Sequence, residues 1–144
     1  MANSNGVRFY AATHEGIVVA TLEGSSCKTV AEACKGAIVD CVAVRDETLN
    51  VVFAGVTHEG LFRSDDAGMH WKKVLDGDMR AVSVDPTDDR VIYAGTGATG
   101  EVARGYAFGT GGAGSILVSS DQGETWQTIK HDLRAVRHLM AVPE

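Results

Sequence analysis

Short apolar runs alternate with turn-forming residues along the whole chain. Leu61-Phe-Arg63, Lys72-Lys-Val-Leu75, Arg80-Ala-Val-Ser-Val84, Ile116-Leu-Val118 and Gln127-Thr-Ile129 are all of strand length and rich in branched side chains. Clusters of Gly, Asp, Asn and Ser punctuate them, and this pattern predicts β-strands joined by tight turns.

The strands recur with a period. Phe9-Tyr-Ala-Ala-Thr-His-Glu-Gly16 matches Phe53-Ala-Gly-Val-Thr-His-Glu-Gly60 at an offset of 44 residues, and Ile92-Tyr-Ala-Gly-Thr-Gly-Ala-Thr-Gly100 begins a third copy. A period of about 40–45 residues is that of one four-stranded propeller blade. A second element keeps the same period: Ser64-Asp-Asp-Ala-Gly-Met-His-Trp71 and Ser119-Ser-Asp-Gln-Gly-Glu-Thr-Trp126 share Ser-x-Asp-x-Gly-x-x-Trp between two strands. Such a hairpin turn has a chemical logic. The Asp accepts hydrogen bonds from backbone N–H groups that come after it, Gly takes a positive φ, and Trp fills the space behind.

On these residues the chain resembles the Asp-box, or BNR-repeat, propellers, a group that includes sialidases, sortilin-type receptors and photosystem II assembly factors. The motif Ser-x-Asp-x-Gly-x-Thr-Trp is complete at 119–126, and His70 replaces the Thr at 64–71. The resemblance implies a structural role for Ser64, Asp66, Gly68 and Trp71, and for Ser119, Asp121, Gly123 and Trp126. A calcium loop would need more alternating oxygen ligands than either turn supplies. In the first copy Ala20, Leu22, Gly24 and Cys27 align with Ser64, Asp66, Gly68 and Trp71. The hairpin is then kept without its carboxylate, and Cys27 is expected to be a small core residue.

A third repeated element, Asp40-Cys-Val-Ala-Val44, Arg80 to Val84 and Arg134-Ala-Val-Arg-His138 running on to Val142, reads as an inner strand. With strands called A to D outward from the axis, the chain opens at strand B and ends on a lone strand A. The expected fold is all-β: a partial propeller of about three four-stranded blades in one domain. Its parts are a partial blade at about 5–37, blades at about 38–78 and 79–132, and a lone inner strand at 133–144. Propellers close with about 4–8 blades. A homodimeric six-bladed ring, each C-terminal strand completing the partner's first blade, is therefore expected; a piece of a longer propeller is the alternative.

Composition narrows the function classes. A net charge of −6, with 13 basic residues scattered among 144, disfavours nucleic acid and anionic membranes as partners. No apolar run approaches the ~20 residues of a membrane span, and residues 1–10 lack a basic region followed by an apolar core. Cys27, Cys34 and Cys41 are seven residues apart, with no Cys-x-x-Cys knuckle. Unpaired structural thiols suit a reducing compartment, so a cytoplasmic location without cofactor or metal is expected.

The B–C turns are where ligand chemistry would sit. They carry His14-Glu15, His58-Glu59 and a long third version from Gly97 to Gly114, where Arg104, Tyr106 and Phe108 could grip a partner. The His-Glu pairs suit zinc by ligand type, but Thr-His-Glu-Gly is equally a good hairpin turn copied by duplication. The expected function is a non-catalytic scaffold for a protein, glycan or other small ligand. The alternative is a sialidase-like glycoside hydrolase. For that enzyme the resemblance implies three arginines, a Tyr nucleophile and a carboxylate. Arg80 and Arg134 match between strand A copies, while Tyr10, Tyr93 and Tyr106 have no carboxylate beside them in sequence.

Overall fold

The computed structural model describes residues 6–45, 50–97, 114–134 and 136–144. Its strands form three antiparallel sheets, and among the described residues there is no helix, hence none long and apolar enough to cross a membrane. The first sheet runs β1 (Val7–Thr13), β2 (Gly16–Glu23), β3 (Ser26–Ala33). The second runs β4 (Val39–Val44), β5 (Val52–Val56), β6 (Gly60–Ser64), β7 (Lys72–Asp76). The third runs β8 (Met79–Val84), β9 (Ile92–Thr96), β10 (Gly114–Ser119), β11 (Gln127–Leu133). The chain is a three-blade sector of a β-propeller, and among the described residues its first blade has three strands, the inner one being absent.

The repeat is kept down to the register. Val44 faces Val52 and Ala43 faces Phe53 in one blade, as Val84 faces Ile92 and Ser83 faces Tyr93 in the next. Both inner ladders also slip at the same place, between Val39 and Cys41 and between Met79 and Ala81. The residues skipped by the slip are Asp40 and Arg80. A bulge re-aims the side chain it carries, and here it delivers two opposite charges to the rim.

The core lies between sheets. Ile17 and Val19 of the first blade meet Val39, Ala54 and Val56 of the second, flanked by Tyr10 and Trp71. Phe53 and Leu61 of the second meet Met79, Val82, Ile92 and Ala94 of the third, flanked by Trp126. Inner strands carry the blades together, β1 against β4 and β4 and β5 against β8. Burying a large apolar side chain contributes about 1.5–3 kcal/mol, so each seam is a core in its own right.

The first blade keeps its hairpin in a simpler form. Leu22 pairs with Cys27 and Glu23 with Ser26, so the turn is Gly24-Ser25, with Gly24 at φ 61°. Strand β2 runs on past the point where β6 ends. Cys27 is exposed, not a core residue as its alignment with Trp71 suggests. The straight hairpin carries it outward along β3, whereas the longer turn of the other blades folds Trp71 and Trp126 back beneath themselves.

The C-terminal segment also differs from its sequence match. Residues 136–144 lie extended on the third blade without joining a ladder. Val136 N donates to Thr96 O at 3.0 Å and Ala141 N to Ser83 Oγ at 3.2 Å. A side chain added at Gly95 would meet Val136, as one at Gly55 would meet Met79. Val136 therefore stands where Met79 stands, and Arg137, not Arg134, corresponds to Arg80. Two residues of this three-residue shift arise in the outer strand, where β11 has seven residues and β7 five; the third arises because Arg134 lies one residue nearer its Trp than Arg80 does.

Gly55 is needed for the seam itself. A Cβ there would collide with Cys41 Sγ and lie 3.2 Å from Met79 O. Gly55→Ala is expected to destabilise the fold by about 1–3 kcal/mol through overpacking, read as a lower urea midpoint with an unchanged m-value.

Candidate functional site

One rim of the sector is formed by the turns after β1 and β5 and by the connections into β4 and β8. In the first blade Thr13 Oγ1 donates to Gly16 O and accepts from Glu15 N, and Gly36 N donates to Glu15 O. These bonds close the turn and leave the His14 and Glu15 side chains exposed. In the second blade His58 adopts φ 61°, and its N–H donates to Asp78 Oδ1 at 2.8 Å. The imidazole Nδ1 lies 3.5 Å from the same oxygen and is otherwise open to solvent.

His58 and Glu59 diverge. His58 leans toward the third blade, while Glu59 lines the outer groove between the first two blades, beside Cys34 and Lys35. Burial, with the nearby Glu59 charge second, pushes the Cys34 thiol up. Among the described residues no three His, Cys, Asp or Glu side chains converge as a metal would require. Arg104, Tyr106 and Phe108 lie outside the described residues.

The densest polar cluster on this rim joins the two inner-strand bulges. Arg80 Nη1 reaches Asp40 Oδ2 at 3.2 Å, and Arg80 Nε donates to both oxygens of Asp78 at 3.1 Å. Thr57 Oγ1 donates to Asp40 Oδ2 at 2.6 Å. Asp78 is 4% exposed, and all its neighbours are donors: His58 N–H and the Arg80 guanidinium. A buried carboxylate is tolerated only when satisfied in this way. Residue types alone did not reveal this cluster. The available signal was an Asp just before one inner strand together with charges of opposite sign at matching strand positions.

The opposite rim carries the two Ser-x-Asp-x-Gly turns, which are built alike. Ser64 Oγ donates to Asp66 Oδ1 and accepts from Gly68 N; Ser119 Oγ does the same with Asp121 and Gly123. Asp66 accepts from His70 N at 2.8 Å and pairs with His70 Nδ1 at 2.6 Å; Asp121 accepts from both the N–H and the hydroxyl of Thr125. His70 thus fills the place of the Thr with an imidazole. Each Trp indole donates to the Gly carbonyl at 2.9 Å.

Each turn is also a clamp on the preceding blade. Ala67 (φ 60°) and Gln122 (φ 65°) are left-handed. Their N–H groups donate within their own blades, to Asn50 O and Arg90 O, and their carbonyls accept from Arg8 and Arg63 of the preceding blades. Arg45, 7% exposed, pairs with Asp89 at 2.8 Å and donates to the Gln122 side chain.

Tyr93 is placed away from the first rim, beside the turn that joins β8 to β9. Tyr93 OH donates to Asp85 Oδ2 at 2.8 Å, a carboxylate the sequence did not bring to it. This bond raises the phenol above its ordinary value, the reverse of what a Tyr nucleophile needs. Cys41 is pushed up to about 12 by burial and is inert.

No family model matches the chain, and no curated protein matches it significantly. Solved structures do share its fold. An ancestral GH74 enzyme superposes with a TM-score of 0.68 at 24% identity, over 94% of this chain and 18% of its own. A GH74 xyloglucanase from Xanthomonas campestris gives 0.60 at 20% identity, over 92% of this chain and 23% of its own. A GH74 enzyme from Niastella koreensis gives 0.61 at 14% identity, over 84% and 19%. The chain therefore spans less than a quarter of each of these proteins' length. The likeness is one of β-propeller fold.

The turn carboxylates make stability depend on acid. Asp66 is held at about 2, first by the His70 backbone N–H and then by its imidazole. Asp121 is held at about 2, first by the Thr125 hydroxyl and then by its N–H. A folded value below the unfolded one, about 3.9, adds stability that is present above that value and lost as pH falls toward 2. Asp121→Asn is expected to flatten the slope of stability against pH between about pH 4 and pH 2, measured by urea titrations across that window.

Proposed function

We propose that the chain is an Asp-box propeller sector acting as a non-catalytic scaffold, and that the rim around Arg80 binds a polar ligand of the glycan class. The observation that carries this reading is the bridge from Arg80 to both Asp40 and Asp78. A ligand site needs a small number of polar groups fixed before the ligand arrives. Arg80 fixes two carboxylates and is itself half-buried between them, so its orientation costs little on binding. Exposed His58, with Thr57 beside it, extends the same rim. Hydroxyl-rich ligands offer both donors and acceptors to such a mixed surface.

A second reading, glycoside hydrolysis, is favoured by the GH74 enzymes among the structures that share the fold. Glycosidases use one carboxyl as acid and another as base or nucleophile. Asp40 and Asp78 are instead engaged by Arg80, Thr57 and the His58 N–H, an arrangement that favours holding a ligand over cleaving it.

The two readings separate in one experiment. The protein is run through gels containing xyloglucan, other neutral glucans or sialylated glycans, and the same mixtures are assayed for new reducing ends. Retardation by at least one glycan without new reducing ends is expected, and Arg80→Met is expected to abolish it while circular dichroism is unchanged. New reducing ends that disappear in Asp40→Asn would establish hydrolysis instead. No retardation by any glycan would reject the glycan class.

A further inference from the structure

Strand β5 is buried at every position from Val52 to Val56, while its counterpart β1 is mostly exposed. By the pairing of Thr13 with Gly16 and of Val56 with Gly60, Phe9 stands where Val52 stands; Val52 is 0% exposed and Phe9 46%. The two positions differ in their neighbours: β5 has β4 on one edge and β6 on the other, whereas among the described residues β1 pairs with β2 alone. A cavity of about 470 Å³ opens beside β1, lined by Arg8, Tyr10, Val44, Asn50 and Ala67. At the other end of the sector, residues 136–142 lie extended in an inner-strand position with no blade of their own, and Met140 and Val142 are each 70% exposed.

We propose that this chain pairs with a second copy of itself through these two ends, the C-terminal segment of one copy becoming the inner strand of the other's first blade. The structure supplies the register. Met79 faces Thr96, Val82 faces Ala94, Ser83 faces Tyr93 and Val84 faces Ile92. Thr13 pairs with Gly16 as Val56 pairs with Gly60. Transferred through this register, Val136 faces the partner's Thr13, Leu139 the partner's Ala11, Met140 the partner's Tyr10 and Ala141 the partner's Phe9. Exposed Met140 would then pack beside the partner's Tyr10, the partner's Phe9 would turn toward the third blade as Ile92 turns toward the second, and the cavity beside β1 receives Ala141 and Val142. An edge strand that presents unpaired N–H and C=O groups is thereby closed.

Charge complementarity selects the same partner. Asp40 and Arg80 occupy the bulge of their inner strands and pair across the seam at 3.2 Å. Arg137 occupies that place in the C-terminal segment. Within one copy its neighbour at this level is Arg80, a like charge. In the paired ring its other neighbour is the partner's Asp40, which is thereby flanked by two guanidinium groups. A head-to-tail contact that closes on itself by rotation gives a finite ring, here of six blades with two identical seams. The inference rests on the fold and not on the ligand assigned to the rim.

The test is solution mass by light scattering on the full chain at micromolar concentration. A mass of twice 15.2 kDa is expected. Deleting 136–144 is expected to give a monomer that retains its β-sheet circular dichroism, and Arg137→Asp to weaken the dimer by about tenfold or more. A variant carrying Phe9→Cys and Ala141→Cys, in a Cys27→Ser background, is expected to form a reducible covalent dimer that neither single cysteine forms. A monomeric full chain, a mass of three or more chains, or a dimer that survives the deletion would each overturn the proposal. The cysteine pair tests the register even if the truncated chain fails to fold.

Discussion

Everything in this molecule depends on sheets burying their faces against other sheets. A single four-stranded blade has two faces and almost no interior, and Phe53, Leu61 and Ile92 leave water only because the next blade covers them. Stability is thus a property of seams. The described residues form two of them, and the blade at each end meets another blade on one face only. Repeat architectures behave in this way in general, since each unit contributes through its neighbours.

The hydrogen-bonded turns serve the same end from outside the core. A left-handed residue with Gly after it turns one carbonyl and one N–H out of the hairpin; the blade before it supplies the donor for the carbonyl, and the turn's own blade accepts from the N–H. Arg8 and Arg63 donate from different strands to equivalent carbonyls. The bond, not the position of the arginine, has been kept. The Ser and Asp side chains maintain the turn shape that makes those two groups available, and the indole below locks it from the core side. Local turn chemistry and blade-to-blade association are one device.

Much of this was legible in the sequence because it is written as period and pattern. The strand runs, the blade period and the Ser-x-Asp-x-Gly turns needed only alternation and turn chemistry. Three features were not legible, for a common reason: they depend on register. Asp40 and Arg80 meet because both inner ladders slip by one residue, which no propensity signals. The resemblance of Arg134-Ala-Val136 to Arg80-Ala-Val82 pointed to the wrong frame, because it already lies one residue short of the repeat and two extra residues in β11 displace the C-terminal segment further. Cys27 was assigned to the core by a frame that holds only if the longer turn is present. Residue identity showed which pieces exist, while the bulges decide which of them touch. The His-Glu pairs show the same limit on the candidate site, since adjacent residues of one turn face different blades.

The two rims of this fold answer to different demands. The turns that clamp one blade to the next lie on one side, where a change of Ser64 or Asp121 breaks a seam. The turns bearing His14 and His58 lie on the other, closed by backbone bonds and by Thr13, with their side chains in solvent. Mutation can therefore explore new chemistry on one rim while folding is guarded on the other. Such a division of labour makes a duplicated blade evolvable: copies remain interchangeable as building units while their solvent-facing turns drift apart in what they recognise.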